Sequence, residues 1–193
     1  MKLLLKRPTE DDLIDFALAQ AKLPLSYKEV GRADSTVFPL GYDHDRNERE
    51  LGRGEAAFKA VRSAIQAYDH FPRSWAFARP LTLIPPTAGQ DVAVAFQQLG
   101  LWWLNGSRVI EVIDQPGFYG FSYGTLISHV ERGEELFYVR MDENGRVFYG
   151  INAYSLPRFW GAKLLKPYAR WQQRRFVNDS ISRMLKIARA HGK

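Results

Sequence analysis

Between Tyr123 and Arg140 the chain reads YGTLISHVERGEELFYVR, which sets one imidazole, His129, among three carboxylates, Glu131, Glu134 and Glu135. An imidazole and a carboxylate within hydrogen-bond reach are the parts of a general acid-base pair, so these four residues form the candidate catalytic set. A solvated reversal between strands uses the same residue types, and Arg132-Gly133 is the kind of pair that marks one. A lone His without a second His nearby is a poor zinc site, and the chain has no cysteine. No metal and no cofactor are therefore expected, and no P-loop, HExxH, GxSxG or EF-hand spacing occurs. Gly52-Arg53-Gly54-Glu55-Ala56-Ala57 matches a minimal G-x-G-x-x-A, but Asp69-His70-Phe71-Pro72 leads into an antiparallel pattern, not a second parallel strand. A tight strand-to-helix turn is the expectation there.

The second chemical signal is aromatic. Side chains alternate along a strand, so Tyr119, Phe121, Tyr123 and Thr125 share one face while Phe118, Gly120, Ser122 and Gly124 share the other. The first face offers rings with hydroxyl handles, which suits either a packed core or a pocket for an apolar ligand with a polar end. Together with Tyr168 and Trp171 of the terminal segment, these four are the candidate ligand-binding residues.

The elements that must position these groups follow from periodicity. TEDDLIDFALAQAK (9–22) begins with a capping Thr and acids and spaces Leu13, Phe16, Ala17 and Gln20 as a helix. A loop comes next, with a strand near Arg46 to Leu51, and then EAAFKAVRSAIQAYDHF aligns Ala57, Phe58, Val61, Ile65 and Tyr68 on one stripe. After Pro72 the period becomes two: DVAVAF, RVIEVI, GFYGFSYGTL, EELFYVRM and RVFYGINAYS read as strands, the last two joined by a hairpin at Asp142-Glu143-Asn144-Gly145. The segment from His129 to Gly133 is expected to join its two flanking strands, and Glu135 to share a face with Phe137, Val139 and Met141. From Lys166 a long helix returns, with Tyr168, Trp171, Val177, Ile181, Met184 and Ala188 opposite the arginines. The fold class is α+β: a curved antiparallel sheet with a long C-terminal helix across its concave face. The expected organisation is one domain over 1–193, an N-terminal helix and loop extension at 1–45 preceding the core at 46–193.

The net charge of +6 is unevenly placed. Residues 158–193 carry ten Lys/Arg and one acid, and the preceding 157 residues sum to −3. That segment could meet a polyanion through the helix from Arg170 to Arg189, but its apolar stripe belongs on the sheet, which leaves the arginines as a solvated outer face. No specific nucleic-acid partner is expected. MKLLLKRPTEDD is too short in apolar residues for a signal peptide or membrane span, and the absence of cysteine fits a reducing compartment, so a cytoplasmic location is expected.

Six stretches resemble a known family of bacterial and plant proteins, domain of unknown function 1990. They are LSYKEVG (25–31), LGRGEAAF (51–58), RVIEV (108–112), YGTLISHVERGEELF (123–137), AYSLP (153–157) and the terminal helix with Gln172. The resemblance spans nearly the whole chain; it departs at Val130, where a Pro commonly follows the motif's His. It implies a fold similar to the START or Bet v 1 (SRPBCC) helix-grip class and carries no activity, substrate or catalytic residue. The expected partner is a small hydrophobic molecule or lipid, bound between sheet and terminal helix. Two alternatives stand beside it: an enzyme using His129 and a nearby Glu on such a ligand, and a polyanion-binding module built on the basic helix.

Overall fold

The structure, a computed structural model, describes residues 1–35, 39–82, 85–157 and 166–191. In chain order its elements are β1 (Lys2–Leu4), α1 (Glu10–Gln20), β2 (Asp43–Arg53), α2 (Glu55–Gln66), β3 (Ala76–Pro80), β4 (Asp91–Gln98), β5 (Leu101–Gln115), β6 (Phe118–Thr125), β7 (Glu131–Met141), β8 (Arg146–Pro157) and, after the undescribed 158–165, α3 (Lys166–His191).

All strands pair antiparallel in the order β2-β8-β7-β6-β5-β4-β3. β5 is long enough to serve two neighbours on one edge: β6 pairs with Ser107 to Gln115, and β1 pairs with Trp102 to Leu104 beyond it. Register shifts at Glu50/Gly52 in β2 and Val109/Glu111 in β5 are bulges, and a bulge bends and twists its strand, which helps curve the sheet.

The concave face holds the main core. Val92, Val94, Val109, Tyr119, Phe121, Phe137, Val139, Tyr149 and Ile151 from the strands meet Val61 and Ile65 of α2 and Met184 and Ala188 of α3. α2 starts where β2 ends, at Gly54 with φ 90, so the glycine-rich stretch is a strand-to-helix turn between antiparallel neighbours. The convex face is covered in two places. α1, capped by reciprocal Thr9 and Asp12 bonds of 3.2 and 3.0 Å, lays Leu13, Phe16 and Ala17 on Ala93, Ala95, Trp102 and Leu104. Farther along, Tyr27 and Ala33 pack on Leu136, Tyr138 and Tyr154.

Two sequence expectations are corrected. β1 and β3 are strands too short to show a period, and β5 begins at Leu101, well before RVIEVI. The reversal at 129–133 lies earlier than expected, because Glu131, Arg132 and Gly133 already pair with Pro157, Leu156 and Ser155 of β8. β6 contacts β7 only as far as Gly124–Glu134, so it is β8 that holds those three residues extended. The Asp142–Gly145 hairpin stands as read: the Asp142 carboxylate accepts from the backbone N–H groups of Asn144 and Arg146 at 3.0 and 2.9 Å.

Candidate functional site

Alternation along β7 separates the three glutamates. Glu131 and Glu135 fall on the concave face with Phe137 and Val139, beneath α3, whereas Glu134 falls on the convex face with Leu136 and Tyr138. Glu134 is 3% exposed and accepts four hydrogen bonds, from the Tyr27 hydroxyl at 2.7 Å and from the backbone N–H groups of Gly31, Arg32 and Ala33 at 2.7, 3.0 and 3.2 Å. It clamps the 27–33 segment to the back of the sheet. His129 sits in the turn before β7, where its Nδ1 accepts the Glu131 backbone N–H at 2.9 Å.

On the concave side the polar groups gather at one end of α3. The Tyr123 hydroxyl donates to Glu135 Oε2 at 2.8 Å, the Gln173 amide donates to Glu131 Oε1 at 3.1 Å, and Arg170 forks onto both oxygens of Asp45, its second bond 2.7 Å long. Deeper, Tyr149 and Ser180 share a hydroxyl bond of 2.8 Å. Burial raises the Glu135 carboxyl; the Tyr123 hydrogen bond opposes it, Glu131 and Asp45 add to it, and the group is pushed up to about 7. Burial likewise raises Glu131, against the Gln173 bond and the Arg170 charge, with Asp45 and Asp43 adding to the rise.

The stability consequence of Glu135 has a definite sign. Its folded pKa of about 7 exceeds the ordinary 4.5, so between those values the folded state binds the proton more tightly and stability falls as pH rises. Glu135→Gln keeps an oxygen for Tyr123 and removes the buried charge. In urea denaturation it is expected to match the wild type near pH 5 and to exceed it by roughly 2 kcal/mol near pH 8. Equal differences at both pH values would show that the carboxyl is ionised throughout.

Of the aromatic candidates, Tyr119, Phe121 and Tyr123 are 2%, 0% and 7% exposed and form part of the concave core. The Thr125 hydroxyl is committed to local structure, bonding Ser26 at 2.6 Å and receiving the Gly133 N–H at 3.0 Å. Tyr168 and Trp171 stack at 5.8 Å near the start of α3, and Trp171 is 54% exposed. The middle of the grip is filled by rings: Phe137 lies 5.7 Å from Phe121, 5.9 Å from Phe71 and 6.3 Å from Phe176. Packed phenylalanines thus lie directly beside the Glu135–Tyr123 pair, with the Tyr123 ring 5.4 Å from that of Phe137.

Two inward-facing groups had no site role in the sequence reading. Gln172 is buried, donates to the Tyr168 hydroxyl at 3.1 Å, and leaves its Oε1 with no hydrogen-bond partner among the described residues. His70 is fully buried 4.2 Å from the Phe137 ring, and among the described residues neither ring nitrogen has a hydrogen-bond partner. Burial drops its pKa to about 3, so the imidazole is neutral at ordinary pH. The available signal was the position of His70 directly after the α2 stripe; nothing in the spacing marked it as inward.

The basic face of α3 is partly neutralised within the chain. Arg170 pairs with Asp45, Arg183 with Asp69, and Arg175 approaches Asp179 at 3.8 Å while lying 4.2 Å over the Trp75 ring. Arg174, Lys186 and Arg189 stay exposed. Among the described residues no cluster of His, Asp and Glu fit to hold a metal occurs, and no helix is long and apolar enough to cross a membrane.

A curved antiparallel sheet closed by a long terminal helix defines a helix-grip protein of the Bet v 1-like class. Among solved structures, norcoclaurine synthase from Thalictrum flavum, in complex with dopamine and hydroxybenzaldehyde, is similar at TM-score 0.52 and 12% identity, over 89% of this chain and 98% of that one. The Zhui aromatase/cyclase from Streptomyces is similar at TM-score 0.51 and 14% identity, over 77% and 94%. Within that class the chain belongs to the family described as Domain of unknown function (DUF1990), whose model matches residues 26–183. A UPF0548 protein of Dictyostelium discoideum is 33% identical over 158 residues, 75% of this chain and 72% of its own length.

Proposed function

We propose that the protein binds a small, largely apolar molecule between the concave face and α3, with the ligand's polar end at Glu135 and Tyr123. One observation carries the reading: a carboxyl–phenol pair lies beneath the helix, beside the aromatic core, at an end where Gln172 holds an acceptor oxygen with no partner among the described residues. A carboxyl near pKa 7 can donate or accept, so a ligand hydroxyl or amine suits it. Phe121 would form the inner wall, with Tyr119 packed behind it, and Tyr168 and Trp171 the outer one. The Thr125 hydroxyl is occupied and would contribute only indirectly. Dopamine and hydroxybenzaldehyde, which the similar norcoclaurine synthase holds, are reasonable first probes, together with a fatty-acid series.

The experiment is native mass spectrometry of the purified protein, then fluorescence titration with those probes. A co-purifying or titratable ligand is expected, and Tyr123→Phe and Glu135→Gln should each weaken binding about tenfold, the worth of one hydrogen bond to an ionisable group. Absence of any bound molecule, or variants that bind as tightly as the wild type, would remove the proposal.

The raised carboxyl of Glu135 beneath the helix also supports a second reading, an enzyme acting on the same ligand. In it Glu135 transfers the proton and Tyr123 orients the carboxyl, while Glu131 tunes it electrostatically. Glu134 is taken up by its four donors, and the Nδ1 of His129 by the Glu131 backbone. A rate that follows one ionisation near pH 7 and disappears in Glu135→Gln is the expected signature. A rate lost in His129→Ala with unchanged thermal stability would return the acid-base role to His129.

A further inference from the structure

A groove of about 330 Å³ lies away from the grip, along the outer edge of the sheet at β3. Its walls come from the segment before α1 (Arg7, Pro8), from α1 (Glu10, Leu13), from the C-terminal end of α2 and the turn after it (Ala67, Tyr68, Arg73), and from β3 (Phe77, Ala78, Arg79). Three guanidinium groups and one carboxylate, Glu10, line it, and Asp69, outside the lining, pairs with Arg73. A groove of this size with several convergent cations and a partly apolar wall is of the form expected for a small anionic ligand.

The three cations differ in how firmly they are held. The Arg7 guanidinium lies 4.7 Å from the centre of the Phe77 ring and 5.4 Å from that of Trp102, and it donates to the Arg73 carbonyl at 2.9 Å. It is oriented by rings and backbone without a carboxylate partner among the described residues. The Arg79 side chain is 13% exposed; it donates to the Pro80 carbonyl at 3.1 Å and stands 3.9 Å from Glu10, and its buried Nε has no hydrogen-bond partner among the described residues. Arg73 reaches Asp69 at 2.6 Å, but Asp69 also serves Arg183. Two positive charges are in excess whether Asp69 and Arg183 are counted or left out. Glu10 is 78% exposed, so it can swing aside without leaving a buried charge.

We infer that this groove is a binding site for a phosphomonoester whose dianionic group sits between Arg7 and Arg79 and whose small apolar part rests on Leu13 and Phe77. A dianion matches the local excess of two charges, and the planar fork of arginine suits phosphate oxygens. The site shares no polar group with the Glu135–Tyr123 pair, so it stands or falls independently of the ligand proposed for the grip.

Isothermal titration of the full chain with phenyl phosphate tests it, with inorganic phosphate as the minimal probe and sodium chloride of equal ionic strength as the control. Saturable binding of phenyl phosphate is expected. Arg7→Met and Arg79→Met should each weaken it about tenfold or more, and Glu10→Gln should strengthen it. Because Arg79 is the more enclosed of the two, the exposed Arg7 serves as the variant whose fold is least at risk, and thermal melts of each accompany the titration. Vesicles of phosphatidic acid in phosphatidylcholine separate the two sources of a phosphomonoester. Sedimentation with them, lost in Arg7→Met, assigns a lipid headgroup; binding of the soluble ester alone assigns a free metabolite. Heat no different from sodium chloride, or equal binding by the wild type and Arg7→Met, would overturn the inference.

Discussion

Glu134→Ala is expected to lower the unfolding free energy by about 4 kcal/mol or more, enough to leave a domain of ordinary stability partly unfolded at 37 °C. The reason is the number of donors that lose one acceptor together. Tyr27 and the N–H groups of Gly31, Arg32 and Ala33 all point at this carboxylate, and Tyr27 and Ala33 are themselves buried. Each donor left dry costs about 1–3 kcal/mol, although the segment can recover part of that by peeling back into water. Urea denaturation measures the loss, and hydrogen exchange should show faster exchange at Gly31 to Ala33 first. A melting temperature within two or three degrees of wild type would mean that those N–H groups find other acceptors.

Gly133→Ala is expected to cost roughly 3–5 kcal/mol or to abolish soluble expression. Gly133 has φ +142, and a Cβ there would overlap the Tyr154 carbonyl, with the carbonyl carbon only 2.9 Å away. The obstacle is the backbone of β8, held through the Gly133–Ser155 pairing, so it cannot rotate aside as a side chain would. Gly145→Ala is the matched control: φ is +70 there but nothing lies within 4 Å, so only the backbone strain of roughly 1 kcal/mol should appear. Similar losses for the two variants would show that β8 yields more easily than this geometry implies.

The same two positions explain how far the sequence could be read. Alternation placed Glu135 with Phe137 and Val139, because period two fixes the face of every residue once one is known, and on that face the structure gives it the Tyr123 hydroxyl as a donor. Alternation alone gave no reason to distinguish Glu134 as the residue with four partners, since those partners lie about a hundred residues earlier in an irregular segment with no period. Long helices and hairpins were legible for the same reason that β1 and β3 were not: a three- or five-residue strand is shorter than the window that reveals a period. The glycine in ERGEE read as a turn residue, yet β8 draws it into the sheet, a tertiary pairing that local composition does not encode. His70 was missed for a related reason, as its burial depends on Phe121 and Phe137 from strands distant in sequence.

The bond between Tyr27 and Glu134 has a counterpart in the space beneath it. A Cβ on Gly124 would meet the ring of Tyr27, its Cζ 2.8 Å away, so one phenol both roofs a bare backbone and caps a buried charge. Three positions spread over more than a hundred residues therefore share one inheritance. A descendant that enlarges residue 124 must displace the tyrosine, and with it the hydroxyl on which residue 134 relies. One that neutralises residue 134 relaxes the demand for a phenol and opens residue 124 to drift. Across diverging copies of this chain the three should change together or not at all, and a library randomised jointly at 27, 124 and 134 should recover far more folded sequences as matched triples than the single-site tolerances multiplied together would allow.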